Sequence, residues 1–65
     1  MNCRLLLACE LNDLEKNLNS CSVFVRECAG SIPEDELKLE RIAAMAEVLS
    51  ELCLREELRL RAKAR

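Results

Sequence analysis

The side chains able to do chemistry in this 65-residue chain are few and of few kinds. Five cysteines stand at 3, 9, 21, 28 and 53, and four serines at 20, 22, 31 and 50. Histidine and tyrosine are missing. A serine nucleophile therefore has no imidazole to take its proton, and no serine sits in a motif with another base. The cysteines form no Cys-x-x-Cys pair, and zinc asks for about four Cys or His ligands at short paired spacings. They read instead as free thiols acting as small hydrophobes in a reducing cytosol. Cys21, Cys28 and Cys53 fall in apolar-periodic positions, where burial makes a thiol inert. Cys3 and Cys9 are expected to be exposed, with Arg4 able to activate one of them. No glycine-rich phosphate loop is present. These residues predict no enzyme, no cofactor, no metal centre and no small-molecule substrate.

The remaining chemical feature is charge. The chain has 10 basic and 12 acidic residues, a net charge of −2, which gives no global attraction to nucleic acid or to anionic membrane. Six acids against two bases occupy residues 34 to 51, and five bases (Arg55, Arg59, Arg61, Lys63, Arg65) against two acids occupy residues 55 to 65. Acid first and base last is the order that a helix macrodipole favours. The basic end could also follow a phosphate backbone, which makes an RNA- or DNA-binding regulator the competing reading. Against it, no aromatic is available there for stacking, and no helix-turn-helix spacing is visible.

The elements that position these residues follow from the punctuation. Composition excludes most alternatives: 51% of residues are hydrophobic, with one Gly, one Pro and one aromatic, so a many-turned β fold and a disordered chain are both disfavoured. The single strong break is Ala29-Gly30-Ser31-Ile32-Pro33. It predicts an all-α antiparallel two-helix hairpin: helix about 4–29, turn about 30–32, helix about 33–62. Gly30 suits a left-handed C′ position, Ser31 with Glu34 fits a capping box, and Pro33 fits a first helical turn.

On the first helix Leu7, Leu11, Leu14, Leu18, Cys21, Val25 and Cys28 form an unbroken coiled-coil seam. On the second the seam is Leu39, Ile42, Ala46, Leu49, Cys53, Glu56 and Leu60, polar only at Glu56. The two seams are expected to pack on each other. Glu51–Arg55 and Glu57–Arg61 are spaced for ion pairs along the helix.

Two helices offer each other only one seam, and many apolar residues lie outside it. A lone hairpin of this length is also marginal without disulfides or metal. Dimerisation into a four-helix bundle resolves both, with Phe24, Met45, Val48 and Leu52 as the expected dimer interface. A turn near residue 31 would bring Leu5 and Leu6 level with Leu54 to Leu58. Leu5, Leu6, Cys9, Leu54, Arg55, Leu58, Arg59 and Arg61 would then form an arginine-rimmed apolar patch at the open end, a surface suited to a protein partner.

Leu6-Leu7-Ala8-Cys9 faintly resembles a bacterial lipoprotein box, but the apolar run before Cys9 is too short for a signal-peptide core. No segment reaches the roughly 20 apolar residues of a membrane span, and a cytoplasmic location is expected. The Met1 start and basic finish weakly suggest a complete small protein. In architecture the chain resembles Rop-like hairpins that dimerise into four-helix bundles. It is similar in size to short hairpin inhibitors and adaptors of phages and mobile elements, and to small type III secretion chaperone hairpins. The shared features are two heptad-bearing helices and a short turn, so no functional residue carries over. The expected function is a small homodimeric interaction module that binds a larger protein and inhibits or adapts it; a structural or chaperone-like assembly subunit is a further alternative.

Overall fold

The computed structural model describes residues 2–64. Helix α1 spans Cys3–Ala29 and helix α2 spans Glu36–Lys63, with a single 3-10 turn, Pro33–Asp35, leading into α2. Neither helix contains an interior Gly or Pro, so nothing interrupts the hydrogen-bond ladder. The start of α1 is capped by Asn2, whose side-chain oxygen accepts from the backbone N–H of Arg4 at 3.1 Å and of Leu5 at 3.3 Å. That satisfies two of the donors a helix start leaves orphaned. At the far end of α2 the bases Arg61 and Lys63 face the negative pole of the macrodipole.

The chain reversal differs from expectation in its chemistry. Gly30 is right-handed, at φ −62° and ψ −22°, not left-handed. Instead of a Schellman-type stop, α1 unwinds through two tight turns, with Ser31 N–H donating to the Cys28 carbonyl and Ile32 N–H to that of Ala29. The Ser31–Glu34 capping box is not formed: Ile32 is the residue before the 3-10 turn, and no side chain caps it. Pro33 does take the first position of that turn, where a missing N–H is harmless.

The packing of the helices is the larger correction. The two leucine-rich seams do not meet squarely: their inner rows, Leu11, Leu18 and Val25 on α1 with Leu39, Ala46, Cys53 and Leu60 on α2, are half-buried or buried at the edge of the contact, and their outer rows are exposed. The helices meet along a stripe of small and polar residues: Ala8, Ser22 and Ala29 on α1 against Ala43, Ser50, Cys53 and Glu57 on α2, with Leu60 closing the open end. Small side chains let the backbones approach, so that the Ser50 hydroxyl reaches the Glu15 main-chain carbonyl at 3.3 Å. Each seam lies about 50° to 100° around its own helix from that stripe, because neighbouring residues are about 100° apart. In an antiparallel pair of right-handed helices, equal rotations carry both seams to the same side. Leu7 and Leu11 of α1 therefore wall one open groove together with Leu49, Leu52, Cys53 and Leu60 of α2.

The register also differs. Asn12 meets Glu57, and Ser22 meets Glu47, about two helical turns further along α2 than a reversal at residue 31 would place them. The reversal takes in the 3-10 turn as well as Gly30–Ile32, and side chains on both helices lean toward their own N-termini. The result is a rod 49 Å long with a radius of gyration of 14.9 Å, against about 10.7 Å for a compact domain of this length.

Candidate functional site

The hairpin has two unlike faces. On one, the seam side chains stand in the open: Leu7 is 50% exposed, Leu14 43%, Ile42 54% and Leu49 47%. Cys21, expected to be buried in its seam, is exposed there, while Cys28 is half-buried and Cys53 buried. The edges of this face are apolar as well, with Phe24 beside α1 and Met45 and Leu52 beside α2, the first two at least 65% exposed. Val48, expected with them, lies further round, in a shallow groove on the outer side of α2 with Ala44, Met45 and Leu52. Phe24 lies in a separate one with Val23 and Glu27. The four expected interface residues thus flank the hairpin on two sides, with Phe24 apart from the other three.

The other face is polar and tightly bonded. Asn12 donates to both carboxylate oxygens of Glu57 at 3.1 and 3.3 Å, and Arg61 donates to Glu57 at 2.9 Å. The Asn12 hydrogen bond, then that of Arg61, holds the Glu57 carboxyl below the usual carboxylate range. Glu47 is held low in the same way, first by Arg26 at 3.0 Å and then by the Ser22 hydroxyl at 2.8 Å. No buried side-chain polar atom among the described residues lacks a partner. Burying a carboxylate at a helix–helix contact is tolerable only when it is paired and hydrogen-bonded, and here it is.

The open-end residues are divided between these faces. Cys9 and Arg61 come together on the polar face, with the guanidinium 3.9 Å from the Cys9 sulfur. Because of the register, Leu54 and Leu58 stand level with residues 15 and 11 of α1, inward of Leu5 and Leu6, and the Asn12–Glu57–Arg61 cluster stands among them. Leu5, Leu6, Leu54 and Leu58 are nonetheless each 40% exposed or more. Arg59 lies on the apolar side, lining the groove with Leu7 and Leu60, and pairs with Glu56 at 2.8 Å. Arg55 is exposed.

The basic run is therefore not an open comb of cations: Arg59 and Arg61 are each tied to a carboxylate of their own helix. Arg65 lies outside the described residues. Of the two expected i, i+4 pairs, Glu57–Arg61 is made; among the described residues Glu51–Arg55 is not, and Glu56–Arg59 forms instead.

The residues that composition and spacing did not single out are Asn2, which caps α1, and, in the contact stripe and its polar rim, Asn12, Ser22, Glu47 and Ser50. Asn2 could have been found, as Asn is a preferred N-cap. The spacing of Ala8, Ser22 and Ala29, and of Ala43, Ser50 and Glu57, in multiples of seven residues was a further signal of a small-residue stripe.

Among the described residues no three Cys, Asp or Glu side chains gather as a metal ion would need, and no helix is long and apolar enough to cross a membrane. Neither a family model, nor a curated protein, nor a solved structure matches the chain.

Proposed function

We propose that the chain is a non-enzymatic protein–protein interaction module whose working unit is a homodimer, two hairpins joined through their seam faces into a four-helix bundle. The observation that carries this reading is that the outer rows of both heptad seams, Leu7, Leu14 and Cys21 with Ile42 and Leu49, lie on one face and are exposed there. Each fully buried leucine contributes about 1.5–3 kcal/mol, so a face of this kind favours association strongly. The area supports it too. The hairpin exposes 4996 Å², whereas a folded monomer of its mass exposes about 4,200 Å². The excess is about what each partner contributes to a standard protein interface.

With the seam faces covered, Leu5, Cys9, Leu54 and Leu58 stay on the outside of the bundle, interleaved with Arg61. That is the surface offered to a larger protein, which the dimer would inhibit or adapt.

Sedimentation equilibrium tests the dimer directly. The expected mass is twice the 7.4 kDa of the chain at micromolar concentration. Leu14→Lys with Leu49→Lys, which changes only exposed seam positions, should return it to a monomer. A wild-type chain that stays monomeric would remove the reading.

A further inference from the structure

A homodimer through this face can close in two ways. If the two-fold axis crosses the helices, each α1 lies on the other α1, and the turns point in opposite directions. If the axis runs along the helices, each α1 lies on the other chain's α2, and both turns sit at the same end. The edges of the face distinguish the two.

On α1 the edge next to the seam is the seven-residue series Cys3, Glu10, Asn17, Phe24; on α2 it is Lys38, Met45, Leu52, Arg59. All are exposed. In the crossed arrangement each series meets its own reverse. With Arg59 opposite Lys38 of the other chain, a like-charge contact, the register of the hairpin sets Phe24 against a polar Asn17; moved one heptad to put Glu10 opposite Phe24, it sets Arg59 against an apolar Met45. In the parallel-axis arrangement heights are preserved, so α1 and the other chain's α2 share the register already seen within one hairpin. That register sets Asn12 against Glu57 and Ser22 against Glu47. The same offset sets Glu10 against Arg59, Asn17 against Leu52 and Phe24 against Met45. Charge then meets opposite charge, and the lone aromatic meets a thioether, a favourable pairing.

Resting on the homodimer reading above, we infer that the second copy docks with its turn at the same end, each edge of the bundle closed by an inter-chain Glu10–Arg59 ion pair and a Phe24–Met45 contact. Arg59 is free to do this. Its own Glu56 takes Nε and Nη2, at 3.0 and 2.8 Å, and Nη1 remains for a second carboxylate. Within one chain Glu10 and Arg59 lie on opposite edges of the face, so any coupling between them is between chains.

The test uses two full-length variants, Glu10→Arg and Arg59→Glu, mixed and weighed by native mass spectrometry. Each variant alone sets like charges together at both edges of its homodimer. A mixed dimer restores an attractive pair at one edge and leaves the reversed pair, also attractive, at the other. The heterodimer should exceed statistical mixing by about tenfold or more, given the usual size of exposed pairs. Repulsion between Glu56 and the new carboxylate inside the Arg59→Glu chain is the same in either dimer and cancels. Statistical mixing, with both variants dimerising like wild type, would overturn the docking orientation and leave the homodimer standing. A wild-type chain that is monomeric in the same spectrum would overturn both.

Discussion

Asn12 and Glu57, forty-five residues apart, are joined by two hydrogen bonds from one amide nitrogen to both oxygens of a carboxylate. This contact locks α1 to α2 in a single register. It does so together with the Ser22–Glu47, Arg26–Glu47 and Ser50–Glu15 contacts, at a helix interface otherwise built largely from small side chains.

The first prediction concerns acid. Glu57, Glu47 and Glu56 all have carboxyls held below their ordinary value by hydrogen-bond donors. The unfolded value is about 4.3. A carboxylate lowered on folding adds stability that is complete above the unfolded value and lost as pH falls through the folded one. Thermal melts at fixed chain concentration should thus show a melting temperature that is flat near neutrality and falls below about pH 4.3. Asn12→Ala should lower the melting temperature at pH 7, and the gap to wild type should narrow progressively as acid protonates the folded Glu57 carboxyl. A gap that stays constant down the acid series would remove Glu57 as its cause.

Gly30 supplies the second. Its backbone is right-handed, and an added Cβ would meet only the Glu27 carbonyl oxygen, at an ordinary 3.8 Å. Gly30→Ala should stabilise the hairpin by about 0.4–1 kcal/mol, by restricting the unfolded chain. A left-handed glycine would give the opposite sign, so urea denaturation decides between the two backbones.

Ala43 is completely buried where the helices meet. Ala43→Leu has no space to fill and must push the helices apart, at a cost of about 1–3 kcal/mol. Leu37→Ala, at a position 74% exposed, is the control and should change stability by less than about 0.5 kcal/mol. Comparable losses in the two would mean that the contact stripe has been placed on the wrong side of α2.

Thiol labelling gives a check on the assembled state. Cys3, Cys9 and Cys21 are exposed in the hairpin and Cys53 is buried. In the proposed bundle Cys21 would be an inter-chain seam residue. Dilution below the dissociation constant should speed its labelling while Cys3 and Cys9 react alike at all concentrations. Uniform Cys21 labelling across the dilution series would place it outside the interface.

The outer surface can be probed separately. Leu5→Asp with Leu58→Asp should leave the mass of the proposed dimer unchanged and abolish association with the proposed larger partner; retained association would locate that contact elsewhere. Binding that falls steeply with salt would point instead to phosphate contacts by the basic end.

Much of this protein follows from local chemistry. Two helices are dictated by long stretches without Gly or Pro, and the break at Gly30–Pro33 by the only residues able to interrupt them. Their sides follow from the 3.5-residue repeat of Leu7 to Cys28 and Leu39 to Leu60. All of that depends on neighbours a turn apart. Which side turns inward was not legible, because periodicity says which residues avoid water and not what they will pack against. The tertiary structure turns Ala8, Ser22 and Ala43 inward, since small side chains allow close backbones and the polar ones find partners there. It also decided the register, through the added 3-10 turn and the Asn12–Glu57 contact between residues far apart in the chain. Leu7, Leu14, Ile42 and Leu49, strongest in the sequence pattern, are thereby left on a surface.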